Sequence, residues 1–162
     1  MSEIIFTDGS SLNNQNKKLR KGGYGVFFGD NDKRNISQKL KGPKITNQVA
    51  ELTACVEAIK VADKTKNITI YTDSMYIVNS INKWCKGWEK NNWINSKNKT
   101  IENKDIIIEL YNLSKEFNIK IKHVRAHRNE PKKDTLEHFY WYGNMMADKL
   151  AVQGSLCIDK IK

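Results

Sequence analysis

The sequence predicts one α/β (α+β) domain built on a five-stranded mixed sheet, three antiparallel strands followed by two parallel ones, flanked by helices. Before Pro43, three short apolar stretches are separated by polar turns, which is typical of an antiparallel meander. After Pro43, helical and strand patterns alternate, which is typical of parallel strands joined through helices. Two of the strands also carry nearly the same letters, Ile-Phe-Thr-Asp and Ile-Tyr-Thr-Asp, so we expect them to lie side by side.

The first three strands are predicted from alternation and turn residues. Over residues 4–8, Ile4, Phe6 and Asp8 alternate with Ile5 and Thr7, which is a strand signal, and the strand is expected to stop at Gly9. A polar, lysine-rich loop covers residues 13–21. Apolar residues return over 22–29 and, after an Asn-Asp turn, over 35–40. These short connections favour antiparallel neighbours.

The first long helix is predicted over residues 48–63, where Leu52, Val56 and Ile59 recur at helical spacing. The fourth strand is expected over 68–72. Ser74 is a suitable N-cap for the helix that follows.

The helix capped by Ser74 is expected to bury one apolar face. That face consists of Ile77 or Val78, then Ile81 and Trp84. Because Trp84 lies three residues after Ile81, it fits either this core face or a binding surface, and the sequence leaves both interpretations open.

The second half of the chain adds two helices and the fifth strand. Apolar residues at helical spacing predict a helix over 105–117. The fifth strand is expected over 119–124 and the last helix over 144–153. The chain is therefore divided into a domain of residues 1–154 and a short C-terminal tail of residues 155–162.

Composition restricts the class of protein. The 162 residues include 28 lysines and arginines against 18 acids, a formal charge of +10, which favours a polyanionic partner such as nucleic acid. The three cysteines form no CxxC pair, which argues against a disulfide framework or a zinc knuckle. The sequence shows no signal peptide and no membrane-spanning stretch. We therefore expect a cytoplasmic or nuclear protein that binds no membrane.

Four acids stand at informative places in this basic chain: Asp8, Glu51, Asp73 and Asp148. Asp8 and Asp73 end the two similar strands, so parallel pairing would bring them to the same edge of the sheet, where ligand sites gather. Passing helices would add Glu51 and Asp148. Taken singly, the acids fit turn, cap or first-turn roles. Together they predict a site for divalent cations and phosphodiester cleavage.

The motifs around these acids resemble those of type 1 ribonuclease H. They are Thr-Asp-Gly-Ser after a strand, Thr-Asn-Gln-Val-Ala-Glu, Tyr-Thr-Asp-Ser-Met-Tyr and Ala-Asp-Lys-Leu-Ala, and the resemblance extends from Ile4 to about Ala151. It implies the ribonuclease H-like fold and sequence-nonspecific endonucleolytic hydrolysis of RNA paired to DNA, which leaves 3′-hydroxyl and 5′-phosphate ends. Removal of RNA primers and R-loops would be the expected task.

The resemblance also implies roles for residues at the site. Asp8, Glu51, Asp73 and Asp148, with Gly9 beside the first, would bind two Mg²⁺ ions, with Mn²⁺ as a substitute. His127 would assist proton movement or product release. It departs from the family pattern in following Ala126 rather than glycine and in lying 21 positions before Asp148, so His138 is an alternative.

Further matches imply a surface for the RNA–DNA hybrid, including a basic protrusion over residues 83–104 that would grip the DNA strand. The side-chain amides of Asn14, Asn47 and Gln48 would contact the minor groove of the hybrid. Trp88 and Ser96 would line a DNA channel. A phosphate pocket would be formed by Lys44, Thr46 and Asn103. The predicted substrate-binding residues are Ser10, Asn14, Lys44, Thr46, Asn47, Gln48, Met75, Trp84, Trp88, Ser96 and Asn103.

Three other functions share parts of this pattern. Integrases, transposases and exonucleases use the same sheet, but the basic tryptophan-rich protrusion favours a hybrid nuclease. A noncatalytic binding module would gain nothing from four acids facing a polyanion. A fragment of a reverse transcriptase is the third alternative. A free-standing monomer is the expectation.

Overall fold

The computed structural model describes residues 1–12 and 20–157. Its sheet has five strands in the order β3-β2-β1-β4-β5, with β1, β2 and β3 antiparallel and β1, β4 and β5 parallel. The predicted mixed sheet is therefore confirmed. The strands are β1 Ser2–Leu12, β2 Lys21–Phe27, β3 Ile36–Lys39, β4 Asn67–Thr72 and β5 Lys120–His123.

The helices are α1 Asn47–Val61, α2 Met75–Asn79, α3 Cys85–Lys90, α4 Lys104–Glu116 and α5 Leu136–Ser155. Side-chain hydroxyls cap three of them: Thr46 accepts from the backbone N–H of Val49, Ser74 from that of Ile77 and Thr135 from that of His138. Such caps satisfy backbone donors that a first helical turn leaves without partners.

The sheet separates two apolar clusters. Ile5 and Phe6 are adjacent in β1 and belong to different clusters, as the alternation of side chains along a strand requires. The cluster around Ile5 is the larger one and includes α1 and α4. The cluster around Phe6 is covered by α5, which packs on β1, β2 and β3. Both faces of the sheet are thus buried by helices.

The first strand is longer than predicted. It continues past Gly9 to Leu12, still paired with β2, so the predicted end of the strand at Gly9 is wrong. Glycine is required there for a different reason: a Cβ atom at Gly9 would lie 2.4 Å from the backbone nitrogen of Glu51 and 2.7 Å from the Cβ of Ala50. The missing side chain lets α1 approach β1 closely.

The last helix begins at Leu136, not at residue 144 as predicted. Aromatic residues that precede the predicted start form its first turns, where Phe139 contacts Phe6 edge to face and the Tyr140 ring lies 4.8 Å from that of Tyr71. These ring contacts with residues of the sheet stabilise the additional turns. At the other end, Ser155 is fully buried as the last residue of α5 rather than the start of a tail; residues 158–162 of that predicted tail lie outside the described residues.

A π-helical segment, Ser80–Trp84, lies between α2 and α3. Ile77 and Ile81 are buried as predicted, but Trp84 is 41% exposed. The wider π turn rotates Trp84 off the apolar face that ordinary helical spacing predicted, and π turns are frequent at functional sites. The core interpretation of Trp84 is therefore wrong.

Candidate active site

Three acids from three different elements converge at one edge of the sheet. Asp8 is in β1, Glu51 is in α1, and Asp73 directly follows β4. One carboxylate oxygen from each lies within 4.8 Å of the others. The parallel register explains the meeting of the two aspartates, because Thr7 pairs with Thr72 and the next residue of each strand is Asp8 or Asp73. The predicted convergence is therefore present in the structure.

Glu51 is brought to this edge by the close approach of α1 to Gly9. Its carboxylate accepts a hydrogen bond from Ser74, the residue that also caps α2. The same short segment after β4 therefore supplies Asp73 and orients Glu51.

Asp148 joins from the opposite face of the sheet, on α5. Its side chain is hydrogen-bonded to that of Asp8, and it lines a cavity together with Asp73. It is not one of the three acids whose oxygens are mutually within 4.8 Å. The four carboxylates thus form one acidic cluster, with Asp148 reaching it through Asp8.

The electrostatics of the cluster are those of crowded, buried acids. Burial raises the pKa of Asp8 to about 9, and Asp73 and Asp148 add to the effect. Burial raises the pKa of Glu51 to about 7, with Asp73 contributing. Burial and then Asp148 raise the pKa of Asp73, while His127 opposes them. Carboxylates that repel each other in this way are stabilised by divalent cations, and hard oxygen donors are the ligands that Mg²⁺ prefers.

We predict that Asp8→Asn stabilises the protein in EDTA by an amount that grows with pH. Asp8 has a pKa of about 9 in the folded state, whereas the ordinary pKa of an aspartate carboxyl is 3.8. Between these values the folded state binds more protons than the unfolded chain, so the contribution of Asp8 to the free energy of unfolding falls as pH rises. The asparagine amide does not titrate, so the variant does not lose this free energy of unfolding as pH rises. Urea denaturation from pH 4 to 8 should show a difference rising from near zero to a few kcal/mol.

The exposed Asp134, mutated to Asn, is the matched control for this measurement, because it makes the same chemical change on a loop residue that is not one of the four clustered acids. A wild-type-minus-Asp8→Asn difference that is independent of pH would contradict the assignment of a raised pKa to Asp8.

The structure places His127, and not His138, beside the acids. His127 lies in the loop after β5 with a left-handed backbone (φ 52°) and lines the cavity that contains Asp73 and Asp148. The His138 ring instead lies 2.9 Å from a Glu130 carboxylate oxygen and stacks on Tyr142. Of the two histidines left open by the sequence, His127 has the position for a catalytic role, which stays a prediction.

Sequence reasoning missed Asn144 and part of the loop after β5. Asn144 is buried in α5 and hydrogen-bonded to Asp73. This bond lowers the pKa of Asp73, but burial of Asp73 raises it by more. The spacing of Asn144 and Asp148 was the available signal, because residues four apart share one helix face. Arg125, Arg128 and Trp141 also line the cavity beside the acids, and no motif pointed to them.

The predicted phosphate pocket is partly assembled. The Lys44 Nζ donates to Asn103 Oδ1 at 2.8 Å and to Glu102 Oε1 at 3.0 Å. Thr46 lines a cavity with Lys44, but its hydroxyl caps α1. Asn47 and Gln48 lie with Thr46 along a neighbouring cavity. The substrate-binding roles of Lys44, Thr46, Asn47, Gln48 and Asn103 stay predictions.

The remaining predicted substrate contacts that the structure describes are exposed or half-buried. Trp84 and Trp88 are in contact, with ring centroids 5.7 Å apart. Met75 is 46% exposed, Ser96 is exposed, and Ser10 is half-buried in β1. Asn14 lies outside the described residues. No helix in residues 1–12 or 20–157 combines the length and the apolar composition that a membrane crossing needs.

Comparison with known proteins identifies the family. The RNase H family model matches residues 1–156. The chain belongs to the ribonuclease H family. A ribonuclease H of Rickettsia akari is 37% identical over 153 residues, covering 93% of this chain and 89% of that protein. The ribonuclease H of Schizosaccharomyces pombe is 35% identical over 94% of this chain and 53% of its own length.

Solved structures of the family agree with the fold. The solution structure of the PFV RNase H domain superposes with a TM-score of 0.67 at 27% identity, covering 94% of this ribonuclease H chain and 93% of that domain. This chain spans about half the length of several eukaryotic relatives that it matches, including the mouse ribonuclease H1, of which it covers 50%. The match therefore identifies the ribonuclease H part of those longer proteins.

Proposed function

We propose that this chain hydrolyses the RNA strand of RNA–DNA hybrids, cutting internally and without sequence preference to leave 3′-hydroxyl and 5′-phosphate ends. The observation that carries the proposal is the convergence of Asp8, Glu51 and Asp73 within 4.8 Å, with Asp148 hydrogen-bonded to Asp8. Buried acids with raised pKa values in a chain of charge +10 make no sense as a phosphate site unless cations lie between them and the polyanion.

The cluster fits divalent metal in its chemistry, because all its donors are carboxylate oxygens. We infer two Mg²⁺ ions, with Mn²⁺ as a substitute; when bound, they supply an activated water and stabilise the charge that develops on the departing 3′ oxygen. Asp8, Glu51, Asp73 and Asp148 bind and space them. His127 exchanges a proton at the edge of this cluster, where its exposed position gives access to solvent.

The surface beside the cluster suits a hybrid duplex. Lys44 is held at the start of α1 by Asn103 and offers a charge for a DNA phosphate. The exposed Trp84 and its neighbour Trp88 present indole faces for deoxyribose, where a 2′-hydroxyl would clash. We expect a monomer that acts in the cytoplasm or nucleus on primers and R-loops.

We expect labelled RNA–DNA hybrid to be cut in millimolar Mg²⁺, while RNA–RNA and DNA–DNA duplexes of the same sequence stay intact. Excess EDTA should abolish cleavage and added Mg²⁺ should restore it, because the acids alone repel the phosphate. A gel of these three conditions for each of four duplexes, the fourth carrying a single ribonucleotide, measures both the substrate class and the metal requirement.

Two outcomes would overturn the proposal. Cleavage that persists in EDTA would remove the metal-dependent reaction. Tight hybrid binding without cleavage in Mg²⁺ or Mn²⁺ would indicate a binding module instead of a nuclease.

A further inference from the structure

A second feature adjoins the acidic cluster: a cavity of about 210 Å³ between α5 and the loop after β5. Its lining includes Asp73 and Asp148, Arg125 and Arg128 from the loop, and Trp141 from α5. Acids and guanidinium groups therefore line the same cavity. We call Arg125, Arg128 and Trp141 the basic wall.

The two arginines are free to bind an anion. Within residues 1–12 and 20–157, neither guanidinium forms an ion pair, whereas Arg34, Lys44, Lys60 and Lys115 do. Arg125 is exposed and Arg128 is half-buried. An anion could therefore bind either guanidinium without first breaking a buried ion pair within the protein. Guanidinium groups also present paired donors that match phosphate oxygens.

Contacts between the loop and α5 hold this basic wall in place. The Trp141 Nε1 donates to the backbone carbonyl of Arg128 at 3.0 Å. A few residues on, Glu130 contacts His138 of α5 at 2.9 Å. The backbone that carries the arginines is therefore fixed beside the acids before any substrate arrives, which lowers the entropic cost of binding.

We propose that Arg125 and Arg128 bind a phosphate of the RNA strand next to the one that is cut, with Trp141 positioning Arg128. The inference rests on the proposed function, which places the scissile phosphate at Asp8, Glu51, Asp73 and Asp148. The flanking phosphates of the same strand are then the nearest other anions of the substrate. Binding one of them would fix the register of the RNA backbone over the acids without reading its sequence.

The test measures hybrid affinity in Mg²⁺ with Asp8→Asn as the background, so that bound RNA is not cut. Each hybrid contains one short central run of ribonucleotides, at which wild-type cleavage maps the cut site. One neutral methylphosphonate is placed in turn on either side of that site, in the ribonucleotide-containing strand or in the DNA strand. We expect one flanking RNA position to weaken binding about ten-fold, and Arg125→Ala/Arg128→Ala to abolish that sensitivity. The same double variant should reduce the slope of log affinity against log salt by about one.

Lys132→Ala/Lys133→Ala is the matched control, because it removes the same charge from exposed residues of the same loop that do not line the cavity. It should retain the sensitivity of the wild-type loop to the neutral linkage. Trp141→Phe, which keeps a ring but loses the indole N–H, should reduce that sensitivity partly.

The proposal is overturned if the arginine variant keeps the full penalty at every RNA position, or if the penalty moves to a DNA position. Failure of the proposed function would look different, since the chain would then neither cut the unmodified hybrid nor prefer it over other duplexes.

Discussion

Asp8→Asn should lower the rate of hybrid cleavage in Mg²⁺ by on the order of 10³-fold or more while hybrid binding persists. Asp8 interacts with both other aspartates of the cluster. One of its carboxylate oxygens lies within 4.8 Å of an Asp73 oxygen, and its side chain is hydrogen-bonded to that of Asp148. An amide in its place keeps the shape but removes a negative ligand. Metal ions supply several kcal/mol of transition-state stabilisation, and each 1.4 kcal/mol is a ten-fold change in rate.

Single-turnover rates and fluorescence-anisotropy affinities measure the two quantities separately. Asp134→Asn is the control, since it makes the same chemical change on an exposed loop residue and should leave both unchanged. A thermal melt distinguishes loss of catalysis from loss of the folded state, because Asp8→Asn is expected to be at least as stable as the wild type in EDTA. Near-normal turnover by Asp8→Asn would remove Asp8 from the metal site.

The acidic cluster could be predicted from the sequence because its signals are local. Asp8 and Asp73 end two strands of nearly identical sequence, and parallel pairing of those strands leaves little choice about where their carboxylates go. Glu51 and Asp148 were expected from helices that pass this edge, and the family resemblance then supported them, since periodicity alone does not say which helix face meets the edge of the sheet.

The errors arise where tertiary packing decides local structure. Gly9 has the sequence character of a turn, but its role is to admit α1, and only the approach of Glu51 reveals that. The start of α5 was missed because Phe139 and Tyr140 are helical only through the rings of Phe6 and Tyr71 that they cover. Contacts with rings of the sheet, which local sequence does not show, therefore extend the helix.

The position of Trp84 illustrates a third kind of limit. Helical spacing from Ile81 places it on the core face, and one π turn takes it off that face. Sequence periodicity assumes 3.6 residues per turn, so it cannot detect such a change. Periodicity also could not predict the basic wall. Arg125 and Trp141 line one cavity only because of the way the loop after β5 folds.

The largest effect on stability is expected for Gly25→Ala. Gly25 pairs with Asp8 across β1 and β2, and α5 lies directly on it. A Cβ atom there would be 2.4 Å from the carbonyl oxygen of Ala147 and 2.6 Å from the backbone nitrogen of Ala151. Those are backbone atoms of a helix, so the clash cannot be relieved by rotating a side chain. We expect a loss of about 3 kcal/mol in the free energy of unfolding, typical of severe overpacking.

Activity should also fall, because α5 carries Asp148 and a helix displaced from β2 takes that carboxylate away from Asp8. Gly87→Ala in α3 is the matched control: nothing lies within 4 Å of a Cβ atom at Gly87, so the same substitution should stabilise the protein by about 0.5–1 kcal/mol. Urea denaturation and hybrid cleavage of both variants provide the measurements. Equal stability of the two variants would mean that α5 does not rest on β2 as closely as the structure has it, and the placement of Asp148 in the cluster would have to be revised with it.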